Sequence, residues 1–217
     1  GGAVASTTTI GINSGGTIVQ NGAITSATTV DLDAASTIGL NAAISGVSGT
    51  VDIDATGVTT VAAAGDITSG GAVVFGANKA GTLTTSGDVT TTDDDVTFTN
   101  AVTLGGSVSV DTGGVAAGNI LFSSTVATAG NNLTLDAGPA GNVTLVGALS
   151  GGGDLTVVDG AVQSFDALTV NLLDIQDATT SVTLGGALAS TTTIDINSGG
   201  SLVQNGAITS GTTVDLD

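Results

Sequence analysis

The chain has 217 residues and a formal net charge of −18, because 19 acidic side chains accompany a single basic one, Lys79. Without His, Cys, Met, Trp or Tyr, it lacks most of the side chains that transfer protons or attack substrates, so we expect no catalysis. The acidic excess argues against nucleic-acid and anionic-lipid partners, and no apolar run approaches the ~20 residues of a membrane span.

Short segments in which apolar residues alternate with Thr, Ser or Asp run along the first half of the chain. They begin at Ile10, Val30, Val51, Val73 and Val96, at spacings of 20, 21, 22 and 23 residues. A second motif keeps step with them, as NGAI, NAAI, GDI and GDV. Such alternation is typical of strands with one buried face, and the Gly, Asn, Asp and Ser residues between the segments favour turns.

From Val96 onward the alternating segments follow one another every 10–14 residues, and two such steps again span about 23 residues. These later segments begin at Val108, Ile120, Leu133, Val143, Leu155, Leu168 and Val182.

A motif that returns at one coil length favours stacking of like on like, rather than the varied hairpins of an antiparallel sandwich. The sequence therefore predicts an all-β fold, a parallel β-helix (β-solenoid) with coils of about 20–24 residues. In adjacent coils Val30 should stack on Val51, and Leu32 on Ile53.

The chain contains an internal duplication. Residues 1–33 recur as residues 185–217 with 28 of 33 positions identical; the differing pairs are Val4/Leu188, Gly11/Asp195, Thr17/Ser201, Ile18/Leu202 and Ala27/Gly211. We interpret residues 1–184 as one solenoid repeat unit and residues 185–217 as the start of the next, continuous with the first. At ~4.8 Å per coil, such a unit would rise about 40 Å. We expect this region to belong to a longer axial array, within one chain or end to end between chains.

Four aspartates form the candidate metal site. The segments VDLD and VDID place Asp31, Asp33, Asp52 and Asp54 outward, so stacked coils would bring the four carboxylates together. Carboxylate oxygens suit Ca²⁺, and calcium is the one cofactor that the sequence suggests. The alternative interpretation is a solvated acidic face that keeps rods soluble and apart. The same arrangement recurs at Asp195 and Asp215.

Asparagines recur at turns that the predicted coils would superpose. Asn21, Asn41 and Asn100 hold these positions, and amide ladders stabilise stacked identical turns. We therefore expect their side chains to hydrogen-bond from coil to coil.

Several phrases of the sequence resemble the large β-strand-repeat surface proteins of bacteria that are related to filamentous haemagglutinin-type adhesins. The resemblance implies a right-handed parallel β-helix, export to the cell surface, a structural or adhesive role without catalytic residues in the repeats, and host or surface glycans as partners besides other copies of the repeat. The phrases are GNILFSSTV (118–126), NNLTLDAG (131–138), GNVTLVGALSGGGDLTV (141–157), DDVTFTNAVTLGGSVSVDTGG (94–114) and SVTLGGALAS (181–190).

The residues leave two other functions open. A carbohydrate- or ice-binding β-helix module would need a continuous flat array of Thr or aromatic side chains on one face. An Asp-dependent polysaccharide hydrolase would need a pair of carboxylates flanking the scissile bond. Against the hydrolase, aromatic side chains make up only 2% of the chain.

Overall fold

The computed structural model of the chain describes residues 2–26, 28–116 and 118–217. These residues form an all-β solenoid of about ten turns, built from three parallel sheets. The fold class predicted from the sequence is confirmed. Nowhere in the described ranges is there a helix with the length and apolarity to span a membrane.

Thirty-one strands lie in the described residues, most of them three to five residues long. The first ten are β1 (Val4–Ser6), β2 (Ile10–Ser14), β3 (Ile18–Gln20), β4 (Ile24–Ser26), β5 (Val30–Ala34), β6 (Ile38–Leu40), β7 (Ile44–Val47), β8 (Val51–Ala55), β9 (Val58–Val61) and β10 (Ile67–Ser69). The next ten are β11 (Val73–Phe75), β12 (Thr82–Thr85), β13 (Val89–Thr91), β14 (Val96–Phe98), β15 (Val102–Leu104), β16 (Val108–Asp111), β17 (Ile120–Phe122), β18 (Val126–Ala127), β19 (Leu133–Asp136) and β20 (Val143–Leu145). The last eleven are β21 (Leu149–Ser150), β22 (Leu155–Asp159), β23 (Val162–Phe165), β24 (Leu168–Val170), β25 (Leu173–Ala178), β26 (Ser181–Leu184), β27 (Leu188–Ser190), β28 (Ile194–Ser198), β29 (Ser201–Gln204), β30 (Ile208–Ser210) and β31 (Val214–Leu216).

Every third strand belongs to the same sheet, so each coil contributes one strand to each of three faces. Sheet A contains eleven strands, from β1 and β4 to β31; sheet B contains ten, from β2 and β5 to β29; sheet C contains ten, from β3 and β6 to β30. Neighbours within each sheet pair in parallel. Because each strand is hydrogen-bonded to the coils before and after it, the solenoid grows along one axis.

The predicted register is confirmed in sheet B, where Val30 pairs with Val51 and Leu32 with Ile53. The length of a coil varies more than the sequence indicated. Paired residues are as few as 18 apart, from Leu155 to Leu173, and as many as 25 apart, from Val108 to Leu133. The predicted range of 20–24 residues is thus slightly too narrow, because the turns between strands differ in length.

The core is a narrow column of aliphatic side chains inside the coils. Val30, Leu32, Val51 and Ile53 are each at most 1% exposed, since the two-residue period of a strand points these positions inward and their polar neighbours outward. Burying each such side chain contributes roughly 1.5–3 kcal/mol. Stacking identical small residues lets a thin coil fill its interior completely.

Three phenylalanines stack inside the wider coils of sheet B. The ring centroids of Phe75 and Phe98 lie 5.2 Å apart, and those of Phe98 and Phe122 lie 4.3 Å apart, with the rings nearly parallel. The paired residues of these coils are 23 and 24 residues apart, so the coil is longest where it encloses the largest side chains.

Turns of successive coils pack backbone against backbone. A Cβ added to Gly153 would lie 1.7 Å from the carbonyl oxygen of Asn131 in the coil below. Glycine is therefore required there by the close approach of two chains rather than by turn flexibility.

Candidate functional site

The four predicted aspartates lie on the outer face of sheet B. Strands β5 and β8 pair in parallel, so that Asp31 lies opposite Asp52 and Asp33 opposite Asp54. Adjacent strands are ~4.8 Å apart, and alternation keeps all four side chains off the core. The structure thus brings together the four residues that the sequence singled out; we call them the acidic patch.

The surroundings of the four carboxylates differ. Asp31 is exposed, Asp33 and Asp52 are half-buried, and Asp54 is only 4% exposed. Asn78 covers Asp54: its backbone N–H donates to both carboxylate oxygens at 3.2 Å, and its Nδ2 donates to Oδ2 at 2.7 Å. The loop after β11 therefore supplies the hydrogen bonds that a buried carboxylate requires.

Lys79, the one basic residue of the chain, lies within the acidic patch. Its ammonium group forms an ion pair with Asp33 Oδ1 and donates to the carbonyl oxygen of Ala34 at 3.0 Å. Asp33 Oδ2 accepts a further hydrogen bond, at 3.1 Å, from Asn13 Nδ2. The patch consequently contains its own counter-ion, which sequence reasoning did not place there.

Asp52 is the least compensated member of the patch. Its Oδ1 is buried and has no hydrogen-bond partner in the part of the chain that the structure describes. Burial raises the pKa of Asp52 to about 6, and the charges of Asp54 and Asp31 raise it further in the same direction. A proton is therefore the first ligand that this carboxylate takes up as the pH falls.

The patch has the oxygen chemistry that Ca²⁺ prefers, but two of its carboxylates are already engaged. Asp54 is bound by Asn78 and Asp33 by Lys79, which leaves Asp31 and Asp52, whereas Ca²⁺ takes 6–8 oxygen ligands. Among the described residues, no three or more His, Cys, Asp or Glu side chains are arranged to hold a metal ion. The calcium site at Asp31, Asp33, Asp52 and Asp54 remains a prediction.

Sheet A carries a longer acidic column. Asp195 pairs with Asp215, as the duplication predicted, and the structure adds Asp174 on the other side of Asp195. Burial and the charges of these two neighbours, together with Asp217, raise the pKa of Asp195. Sequence reasoning missed Asp174, although the segment LDI (173–175) repeats the alternation of VDLD.

A second column on sheet A joins Asp111, Asp136 and Asp159. Burial raises the pKa of Asp159 first, followed by the charges of Asp177 and Asp136. The carboxylates of the chain are therefore stacked in columns rather than dispersed.

Sheet C differs from the other two sheets because none of its ten strands, all within the described ranges, contains a charged residue. Thr60, Thr84 and Thr103 form a row on its outer face, in register on β9, β12 and β15. The row continues with Ala127 and Ser150. A molecule of charge −18 thus has one uncharged face, which we call the neutral face.

The expected asparagine ladder is present in part. Asn41 Nδ2 donates to Asn21 Oδ1 at 2.9 Å, which confirms the first step. The prediction is wrong for Asn100, which instead donates to the carbonyl oxygen of Lys79. Its turn belongs to a different coil corner. An unpredicted ladder of three runs from Asp95 through Asn119 to Asn142, with side-chain bonds of 2.8 and 2.9 Å.

The chain matches no family model, and comparison with curated proteins and with solved structures likewise finds no match. Arguments about function consequently rest on the residues and geometry described above.

Proposed function

We propose that the chain is a non-catalytic length of a structural or adhesive stalk, part of a giant secreted bacterial surface or extracellular-filament protein. The observation that supports this proposal most directly is the junction between the two copies of the duplicated segment. Strands β27, β28 and β29 of the second copy pair with β24, β25 and β26 of the first unit, one in each sheet.

No interruption marks this junction. The pairs Leu168–Leu188, Leu173–Ile194 and Val182–Leu202 continue the inward columns of their sheets. A unit of this sequence can therefore serve as the template for the next, as repeat proteins with nearest-neighbour stacking require. Such a unit suits a rod whose length is set by the number of repeats.

The charge distribution supports a role in which rods meet one another. Acidic columns on sheets A and B repel neighbouring rods, whereas the neutral face of sheet C carries no such repulsion. The face is ~45 Å long and ~10 Å wide by strand spacing and residue rise, so two rods would bury about 900 Å² in total. That area is below the ~1,200 Å² of stable complexes, so contacts between rods become strong only through repetition along an array.

Location and further partners follow from the resemblance to bacterial surface adhesins. We place the stalk outside the cell or on the cell surface, with other copies of the repeat as its first partners and surface glycans as its second.

The proposal is tested by small-angle X-ray scattering on the 217-residue chain and on the same chain lengthened by one 184-residue unit. A stalk gains ~42 Å in length, at ~4.8 Å per coil, with an unchanged cross-sectional radius. A compact particle whose cross-section grows with the added residues would contradict the stalk.

One observation favours a second function. The row of Thr60, Thr84 and Thr103 on the flat neutral face resembles the surface that a carbohydrate- or ice-binding module requires. Thermal hysteresis or retention on insoluble polysaccharide, both abolished by Thr84→Lys, would support it. Equal behaviour of the unchanged chain and the variant would leave the stalk alone.

A further inference from the structure

Strands of nearly identical sequence occupy different faces in the two copies. Strand β2, IGINS, lies in sheet B, whereas its counterpart β28, IDINS, lies in sheet A. The strands that follow are displaced in the same sense. Strand β3 lies in sheet C and its counterpart β29 in sheet B, while β4 lies in sheet A and its counterpart β30 in sheet C.

The displacement follows from the number of strands in a unit. Along the described residues, the step from β2 to β28 is 26 strands, and each coil has three, so a unit contains eight and two-thirds coils. Nine full coils would need one more strand. The second copy therefore starts one face earlier than the first.

We propose that this offset is a fixed property of the repeat, so that each unit of an array is turned by a third of a turn about the axis relative to the unit before it. Three units then contain 26 whole coils and restore the starting orientation after ~125 Å, at ~4.8 Å per coil. The inference rests on the proposed stalk and adds its symmetry.

The turn determines where acidic surface lies in an array. The counterpart of the acidic patch begins on sheet A at Asp215, directly in line with Asp195 and Asp174. The next unit therefore extends an existing acidic column instead of starting a new one. The single Gly11-to-Asp195 difference fills the position between Asp174 and Asp215.

The turn also determines where the neutral face lies. It occupies sheet C in the first unit, while at the junction the uncharged strands β26 and β29 are neighbours in sheet B. The neutral face accordingly points in three directions, 120° apart, over three units. An array with this symmetry meets other copies of itself on all sides and forms a three-dimensional bundle, whereas an unturned array would form flat ribbons.

The turn between the two copies is testable in the 217-residue chain, which has no cysteine of its own, by pairs of nitroxide labels on introduced cysteines. Thr169 and Ala189 pair across the junction in sheet C, so labels there lie on adjacent strands ~5 Å apart and broaden the spectrum strongly. The matched control joins Thr156, on sheet A, to Ala189, across ~19 Å by strand spacing and strand length. Strong broadening in the control pair and not in the first would place both copies on the same face and overturn the inference.

The symmetry of an array is tested by electron microscopy of the chain lengthened by three further units. Helical averaging should give a rotation of about 120° with a rise of ~42 Å per unit. A rotation near zero overturns the turn while leaving the stalk intact. Loss of any axial repeat in the particles would argue against the stalk itself, so the two failures are distinguishable.

Discussion

Asp52 and Asp54 are two positions apart in one strand, and they meet different surroundings. Asp54 is almost fully buried but accepts three hydrogen bonds from Asn78. Asp52 is less buried, yet one of its oxygens has no partner in the described residues. The stability of the acidic patch therefore depends more on hydrogen-bond donors than on depth.

Replacing Asp52 with Asn should stabilise the protein at neutral pH. The pKa of Asp52 is raised from 3.8 to about 6, so the folded state binds the proton more tightly than the unfolded state does. Stability is therefore highest below the unfolded value and is lost as the pH rises through about 6. The full shift corresponds to about 3 kcal/mol; after solvent screening we expect Asn to raise the free energy of unfolding by about 1 kcal/mol at pH 7.

Urea unfolding at pH 4.5 and pH 7 measures both quantities. The unchanged chain should be more stable at the lower pH, and Asp52→Asn should reduce that difference. Asp166→Asn, at an exposed turn position, is the control for removal of one charge. Equal pH dependence in Asp52→Asn and in the unchanged chain would contradict the assignment.

Calcium should stabilise the fold beyond the effect of ionic strength, if the patch binds it. A metal that binds only the folded state adds about 2.7 kcal/mol at a hundredfold excess over its dissociation constant, whereas NaCl only screens repulsion. The double variant Asp31→Asn/Asp52→Asn should lose the calcium-specific part. Lys79→Gln, which frees Asp33, should enlarge it.

The readout is the unfolding temperature in millimolar Ca²⁺ and in NaCl of matched ionic strength. Equal shifts in the two salts would show that the patch is a solvated acidic face neutralised by Lys79, and the calcium prediction would be wrong.

The pairing of the four aspartates could be predicted from the sequence because it depends on the spacing of two strands. Asn78 and Lys79 could not, because they reach the patch from a loop one or two coils away. Nothing in a turn's composition says onto which earlier coil it folds.

At the scale of the strand, the phenylalanine stack of β11, β14 and β17 concentrates core volume in sheet B. Phe98 is 2% exposed and contacts a ring on either side. Phe98→Ala should therefore lower the free energy of unfolding by about 3–5 kcal/mol. Thr97→Ala, the outward neighbour, should change it by less than about 1 kcal/mol. Chemical denaturation that ranks the two variants equally would contradict the inward stack.

Sheets A and B were recognisable in the sequence, whereas sheet C was not. The columns through Val30 and through Ile24 keep nearly constant spacing and carry distinctive neighbours, Asp in one and the NGAI motif in the other. Strands of sheet C, such as β18 (Val126–Ala127) and β21 (Leu149–Ser150), are short and built from small residues. Their alternation is too brief to stand out from the turns, so the row of Thr60, Thr84 and Thr103 was not seen.

At the scale of the whole molecule, the neutral face should control association between rods. Neutralising the carboxylates at pH 4.5 should promote side-by-side association, because repulsion between acidic columns falls while the neutral face is unchanged. Thr103→Asp/Thr169→Asp should reduce it more than Thr25→Asp/Thr68→Asp, which adds equal charge to sheet A. Dynamic light scattering of a two-unit chain measures the effect, and equal suppression by both pairs would argue against sheet C as the contact.

The central claim is a single rod that continues through the repeat boundary, and distances along sheet C test it most directly. A spin label at Thr60 is paired in turn with one at Ser150, Thr169 and Thr209, which lie four, five and seven coils further along the same face. Double electron–electron resonance should give distances of ~19, ~24 and ~34 Å, at a constant ~4.8 Å per coil. A distance to Thr209 no longer than that to Thr169 would contradict a continuous rod.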